Sequence, residues 1–184
     1  LDEAIERAET LVLERTPDIA PDALQESKVK LGIGAVKYAD LSKNRTTDYV
    51  FDWDTMLSFE GNTAPYLQYA YTRTQSIFSK AGVAPDKIDA PILIRHEAEK
   101  ALALHILQYQ DALEIVAKEA TPHILCAYLY ELATLFSRFY ENCPVLKTDV
   151  SEADKLTRLQ LCALSAKTLR SALGLLGIET MQKM

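Results

Sequence analysis

An excess of basic charge is missing from this chain. Its 184 residues carry a formal net charge of −6, so there is no global positive field to drive nonspecific duplex binding by counterion release, and DNA is not expected as a partner. Cysteine is scarce: Cys126, Cys143 and Cys162 are an odd number without a close pair, which argues against a disulfide framework or a zinc ribbon and fits a reducing compartment. No apolar run approaches the ~20 residues that cross a bilayer, and no charged-then-apolar leader opens the chain. The expectation is a soluble, cytoplasmic protein with no membrane partner. The chain also lacks an initiating methionine. It enters directly in helical pattern at Leu1-Asp-Glu-Ala-Ile-Glu-Arg-Ala-Glu, and reads as a piece cut from a longer protein.

Catalytic signatures are missing too. There is no glycine-rich phosphate loop, no Gly-x-Ser-x-Gly elbow and no Cys/His pair at a recognisable spacing. The histidines, His96, His105 and His123, are dispersed. His96 begins His-Glu-Ala-Glu rather than the His-Glu-x-x-His of zinc proteases, and His105 flanks an apolar stripe as a structural histidine does. On its residues alone the chain is a binding or structural module, with no catalytic residue, metal or cofactor assigned.

Hydrophobic residues make up 48% of the chain, enough for a sizeable core. The stretch from Asn62 to Gly82 organises it. Asn62 or Thr63 can cap a helix, Pro65 sits where a missing N–H costs nothing, and Gly82 supplies a left-handed residue after the last turn. Leu67, Tyr71, Thr74 and Phe78 form one buried stripe. Tyr66, Tyr69, Arg73 and Lys80 line up off that stripe, in a segment with no acidic residue. Two aromatic rings and two cations away from the core suit a nucleic acid. The same tyrosines also fit a helical protein-interaction module in which they form an interdomain interface and contact no RNA.

Around this helix the rest falls into order. Leu1, Ile5, Ala8 and Val12 predict a helix that stops before Pro17. Helical pattern resumes from Asp22 through Leu31, Ala35 and Tyr38, where Gly32 and Gly34 imply close packing or a strained place. The basic stretch Lys28 to Arg45 reads as a solvated face. Asp48-Tyr-Val-Phe-Asp-Trp-Asp alternates like a strand, with Asp52 and Asp54 as solvated edge residues. One long helix is expected from near His96, with Leu102, Ile106, Tyr109, Leu113 and Val116 as its stripe. Thr121-Pro122 opens the next helix, which carries Leu125, Leu129, Leu132, Phe136 and Phe139 and ends before Pro144 with Tyr140 at the stripe's edge. Ser151 with Asp154 caps the last helix, and Gly177 ends it. The fold class expected is mainly α: a helical bundle over 62–184 joined by short loops, preceded by a mixed helical piece over 1–61 with one short strand.

The run Gly32-Ile-Gly-Ala-Val-Lys-Tyr-Ala-Asp-Leu-Ser-Lys-Asn-Arg45, with Asp48-Tyr-Val-Phe-Asp-Trp-Asp and Phe59-Glu-Gly-Asn-Thr-Ala-Pro-Tyr-Leu-Gln-Tyr-Ala-Tyr-Thr-Arg73, resembles arginyl-tRNA synthetase. The likeness continues in Thr121-Pro-His, Ala127-Tyr-Leu-Tyr-Glu-Leu, Phe136-Ser-Arg-Phe-Tyr140 and the terminal stretch from Leu176 to Met184, and so covers nearly the whole chain. It implies that 1–61 is the end of a catalytic region with tRNA-stem-contacting helices, and that 62–184 is an anticodon-binding helical bundle. The intact family member joins arginine to tRNA(Arg) through an ATP-derived adenylate, with Mg. The family's His-x-Gly-His and Lys-Met-Ser-Lys type signatures do not occur here, so the resemblance implies a stretch that is inactive alone, with tRNA(Arg) and the catalytic domain of the same chain as partners. It also implies tRNA-binding roles for Tyr66, Tyr69 and Arg73 on the inner side of the tRNA, and for Tyr140 and Met184 against the anticodon. Stacking and edge hydrogen bonds on unstacked loop bases supply such recognition.

Overall fold

Pro17 interrupts the first helical pattern and Pro21 restarts it, which makes a helical pair of the N-terminal residues. The computed structural model describes residues 1–183. Helix α1 (Asp2–Arg15) buries Ala4, Ala8 and Val12 against α2 (Pro21–Leu41). Leu1 stays exposed, so the buried stripe begins at Ala4. Gly32 lies where the two helices meet. A Cβ there would come within 2.7 Å of the Ala4 carbonyl oxygen, which is why the position tolerates a residue that weakens a helix.

The strand expected at Asp48–Asp54 does not form, and among the described residues there is no β-strand. An isolated extended segment has no neighbour to satisfy its backbone groups. Asp52 instead caps a one-turn helix, α3 (Trp53–Met56), accepting from the Thr55 N–H at 2.8 Å and the Thr55 hydroxyl at 2.5 Å. These bonds hold its carboxyl below the usual aspartate range. The alternating aromatics collapse on one another: Phe51 and Trp53 meet edge to face at 4.7 Å, and Arg7 of α1 lies 5.3 Å from the Trp53 ring centroid.

Helix α4 (Ala64–Ala81) has the ends its sequence announces. Thr63 accepts the Tyr66 N–H at 3.3 Å, Pro65 lies in the first turn, and Gly82 is left-handed with φ 65°. Its core face, with Leu67, Tyr71, Thr74 and Phe78 buried, packs on α7 (Pro122–Asn142) and α8 (Glu152–Leu175). The single helix expected after His96 is two, α5 (Glu97–Leu107) and α6 (Tyr109–Glu119). The break falls at Gln108, whose N–H turns to the His105 carbonyl at 3.1 Å. It redirects the Tyr109 ring to stack on Tyr128 at 5.5 Å and its hydroxyl to the Ser171 side chain at 3.0 Å. His105 is structural as expected, stacked on Tyr128 at 4.4 Å with Nε2 3.0 Å from the Tyr128 carbonyl oxygen. His96 caps α5, its Nδ1 accepting the Ala98 N–H.

The main core lies between α4, α5, α7 and α8, with Leu129, Leu132, Phe136 and Phe139 of α7 fully enclosed. Each such side chain contributes ~1.5–3 kcal/mol by burial. A smaller cluster joins α1 and α2 to Leu57 and to Met181 from the end of the chain. Tyr38 of α2 reaches into the main core, where its hydroxyl is hydrogen-bonded with both the Cys126 carbonyl at 2.9 Å and the Asn62 side-chain amide at 2.6 Å, donating its single proton to one of them.

Candidate nucleic-acid interface

One face of α4 is left uncovered by the bundle. Tyr69, Arg73, Ser76 and Lys80 follow one another at helical spacing, none of them buried. They form a wall of a groove of about 1070 Å³. Its other walls are the loop between α1 and α2, the C-terminal end of α7 with the following Pro144–Lys147 segment, and Lys183.

At the centre of the groove the Arg73 guanidinium carbon lies 4.4 Å from the centroid of the Tyr140 ring. Tyr140 in turn stacks on Phe136 at 6.4 Å, and Phe136 is part of the core, so the ring is anchored from below. A guanidinium on a ring is a planar, weakly hydrated cation suited to stacking under a base or pairing with a phosphate. Four cations, Arg73, Lys80, Lys147 and Lys183, line the groove against two acids, Asp18 and Glu141. This local balance opposes the −6 of the whole chain.

The residues singled out in the sequence separate here. Tyr69, Arg73 and Tyr140 come together. Tyr69 is 36% exposed, and its ring edge meets Phe59 at 6.5 Å while the Arg15 guanidinium sits 3.7 Å over Phe59 and 5.7 Å from Tyr69. Tyr66 points elsewhere, packed edge to face on Tyr130 of α7 at 5.9 Å, and it does not line the groove. Met184 lies outside the described residues. Lys147 and Lys183 escaped the sequence reading; the one signal for them was adjacency, to the helix end bearing Tyr140 and to the terminal methionine.

The basic stretch from Lys28 to Arg45 is not simply a solvated face. Lys28 pairs with Glu9 at 2.7 Å, Lys30 with Glu26 at 2.6 Å, and Lys37 and Arg45 donate to the carbonyls of Gly177 and Ala120 at 2.6 and 3.1 Å. The hydrogen bond to Glu26 leads the effects that raise the Lys30 pKa above its ordinary value. Each of these four cations makes a bond within the chain, while Lys37, Lys43 and Arg45 remain exposed, so the stretch is in part the solvated face its sequence suggests. Among the described residues no group of three His, Cys, Asp or Glu side chains is placed to hold a metal ion, and no helix is long and apolar enough to cross a membrane.

Comparison with known proteins bears on this groove. The family described as DALR anticodon binding domain matches residues 67–184, and the family described as the catalytic domain of class I tRNA synthetases (R) matches residues 1–53. The chain is 58% identical over its full length to an arginine–tRNA ligase of Klebsiella pneumoniae and 60% identical to one of Pseudoalteromonas atlantica. It spans 32% of the length of each of these curated relatives. Among solved structures it superposes along its full length on the Thermus thermophilus arginyl-tRNA synthetase with a TM-score of 0.90 at 34% identity, covering 31% of that chain. The Plasmodium falciparum arginyl-tRNA synthetase gives 0.87 at 33% identity, with 32% of that chain covered.

Proposed function

The chain belongs to the DALR anticodon-binding domain family, and from that premise we propose that it is the tRNA-binding part of an arginine–tRNA ligase, taking the anticodon arm of tRNA(Arg) in the groove between α4 and the end of α7. The observation that carries this reading is the Arg73 guanidinium over the core-anchored Tyr140 ring at 4.4 Å, in a groove with four cations on an acidic protein. An unstacked loop base finds there the plane of the Arg73 guanidinium, itself seated on the Tyr140 ring, and flanking lysines for its phosphates.

Within this reading Arg73 and Tyr140 stack and orient bases, Tyr69 forms the wall beside them, and Met184 contributes from the chain end. Tyr66 acts through Tyr130, holding α4 against α7, and meets RNA only at the rim. The division of labour proposed is 1–61 as the end of a catalytic region and 62–184 as the anticodon-binding bundle. The whole protein's activity is ATP-dependent arginylation in the cytoplasm, with its catalytic domain as the partner in the same chain. ATP, with Mg, is the cofactor proposed for the intact enzyme, and none is assigned to the residues of this chain. The competing reading, a protein-interaction module without RNA contact, has no support in the comparisons.

An NMR titration of the isotope-labelled chain tests the proposal, using an arginine anticodon stem-loop beside one with its middle anticodon base changed. Shifts at Arg73, Tyr140 and Lys183, larger with the arginine loop, are expected. Replacing Arg73 by alanine removes a cation and the plane over Tyr140, and weakens binding by roughly 5- to 50-fold with the helical content unchanged. A well-dispersed folded spectrum that does not move at low salt overturns the reading.

A further inference from the structure

The described residues after α8 have no regular helix or strand, yet from Gly177 to Met181 they are held against the bundle. The backbone leaves α8 through Gly177, at φ 68°, and runs across α2 and α4. Three successive side chains from those helices bind its carbonyls. Lys37 Nζ donates to Gly177 O at 2.6 Å, Gln68 Nε2 to Glu179 O at 2.8 Å, and Lys30 Nζ to Thr180 O at 3.3 Å. Between these points Ile178 and Met181 are buried, Ile178 over the space that glycine leaves at Gly34 and Met181 in the small cluster with Leu31 and Ala35.

Gln68 is the centre of this arrangement. It is fully buried, and its second Nε2 proton goes to the Lys30 carbonyl at 3.1 Å, so one amide joins the backbone of α2, the helix α4 and the tail. It immediately precedes Tyr69, and the tail it holds delivers Lys183 to the groove that Tyr69, Arg73 and Tyr140 line. A buried amide and two lysines satisfying loop carbonyls fix a path; an unheld tail of this length would sample many conformers and lose affinity in ordering one.

We propose that Gln68, Lys30 and Lys37 are positioning residues that set the segment 177–181 in one conformation and so place Lys183 beside the groove, and thereby carry part of the discrimination between anticodon loops without touching RNA. The proposal rests on the RNA-binding reading of the groove. A rigidly placed group rejects a wrong base because it cannot follow it, whereas a loose one adapts to either.

Lys37 is the exposed member and the safest to change. The test compares the unaltered 184-residue chain with Lys37→Met, Lys37→Arg, and the same two variants in a chain shortened after Met181. Hydrogen exchange of the Glu179–Lys183 amides is measured without RNA, and Kd is measured for the arginine stem-loop and for the loop with a changed middle base. Lys37→Met is expected to speed tail exchange about tenfold and to cut the ratio of the two Kd values at least threefold, mainly by weakening the arginine loop. Lys37→Arg restores both, and in the shortened chain Lys37→Met changes the ratio no further. Unchanged tail exchange, a loosened tail with an unchanged ratio, or the same loss in the shortened chain each overturns the inference and leaves RNA binding standing. If the unaltered chain binds neither loop, the reading of the groove and the inference fall together.

Discussion

Gly32 and the pair Tyr66/Tyr69 show how far single residues explain themselves. A glycine in a helical pattern signals close packing, and the approach of the Ala4 carbonyl is that packing. Gly32→Ala gains ~1 kcal/mol in helix propensity but drives a methyl group to 2.7 Å from a backbone oxygen that cannot rotate away, an overpacking that costs ~1–3 kcal/mol. The expected result is a net loss of up to about 2 kcal/mol in urea unfolding, with α1 amides exchanging faster. Which neighbour fills the space was not legible, because it comes from another helix. The tyrosines carry the same lesson. Spacing correctly took both off the main core stripe, but only the position of α7 decides that Tyr66 meets Tyr130 while Tyr69 borders the groove.

Among the elements, the start of α5 and the middle of α8 are tied by a buried ion pair. Glu99 is 1% exposed; Arg158 Nε donates to one of its oxygens at 2.8 Å, and the other accepts the Arg95 and His96 N–H groups. The same Arg158 donates to the Pro144 carbonyl at 2.8 Å, in the segment that walls the groove behind Tyr140. Arg158→Met leaves a buried carboxylate and a carbonyl without their partner and should destabilise the chain by about 3–5 kcal/mol, read as a fall in the urea midpoint. Adding Glu99→Gln should recover a good part of that loss, since the isolated buried charge is then gone. Nothing in the sequence announces this pair, 59 residues apart. Caps were legible where they use standard chemistry, as Thr63, Gly82 and Ser151 do; Pro122 opens α7 as its sequence suggests, but the Thr121 hydroxyl makes no cap hydrogen bond. The interruption at Gln108 was not, because no proline or glycine marks it and the apolar spacing runs through it unbroken.

For the molecule as a whole, the bundle could be read from stripes and caps, but the groove could not: four separate segments meet there, and its cations Lys147 and Lys183 stand apart from the basic stretch that looks most prominent in the sequence. Charge and burial then make two predictions. Burial pushes the Cys126 thiol up to about 12, and burial also raises the Cys143 and Cys162 thiols and the Tyr38 hydroxyl. With the folded value above the unfolded ~8.5, the native thiol keeps a proton that the unfolded chain releases. Stability is therefore full below that pH and declines as pH rises toward about 12; Tm should fall steadily above about pH 9, and all three thiols should resist alkylation until the chain unfolds. The second prediction concerns ionic strength. A protein that bound RNA through a general basic surface would show a steep loss of affinity with salt. Among the described residues the cations that line the groove are Arg73, Lys80, Lys147 and Lys183. If all four release a counterion from a single-stranded loop, the slope of log K against log salt is no steeper than about −3. Lys147→Gln should make it shallower by about 0.7 while leaving the preference for the arginine loop intact, because a phosphate contact positions without reading sequence. A much steeper slope, or one indifferent to Lys147, would mean that the RNA lies across another face of the bundle.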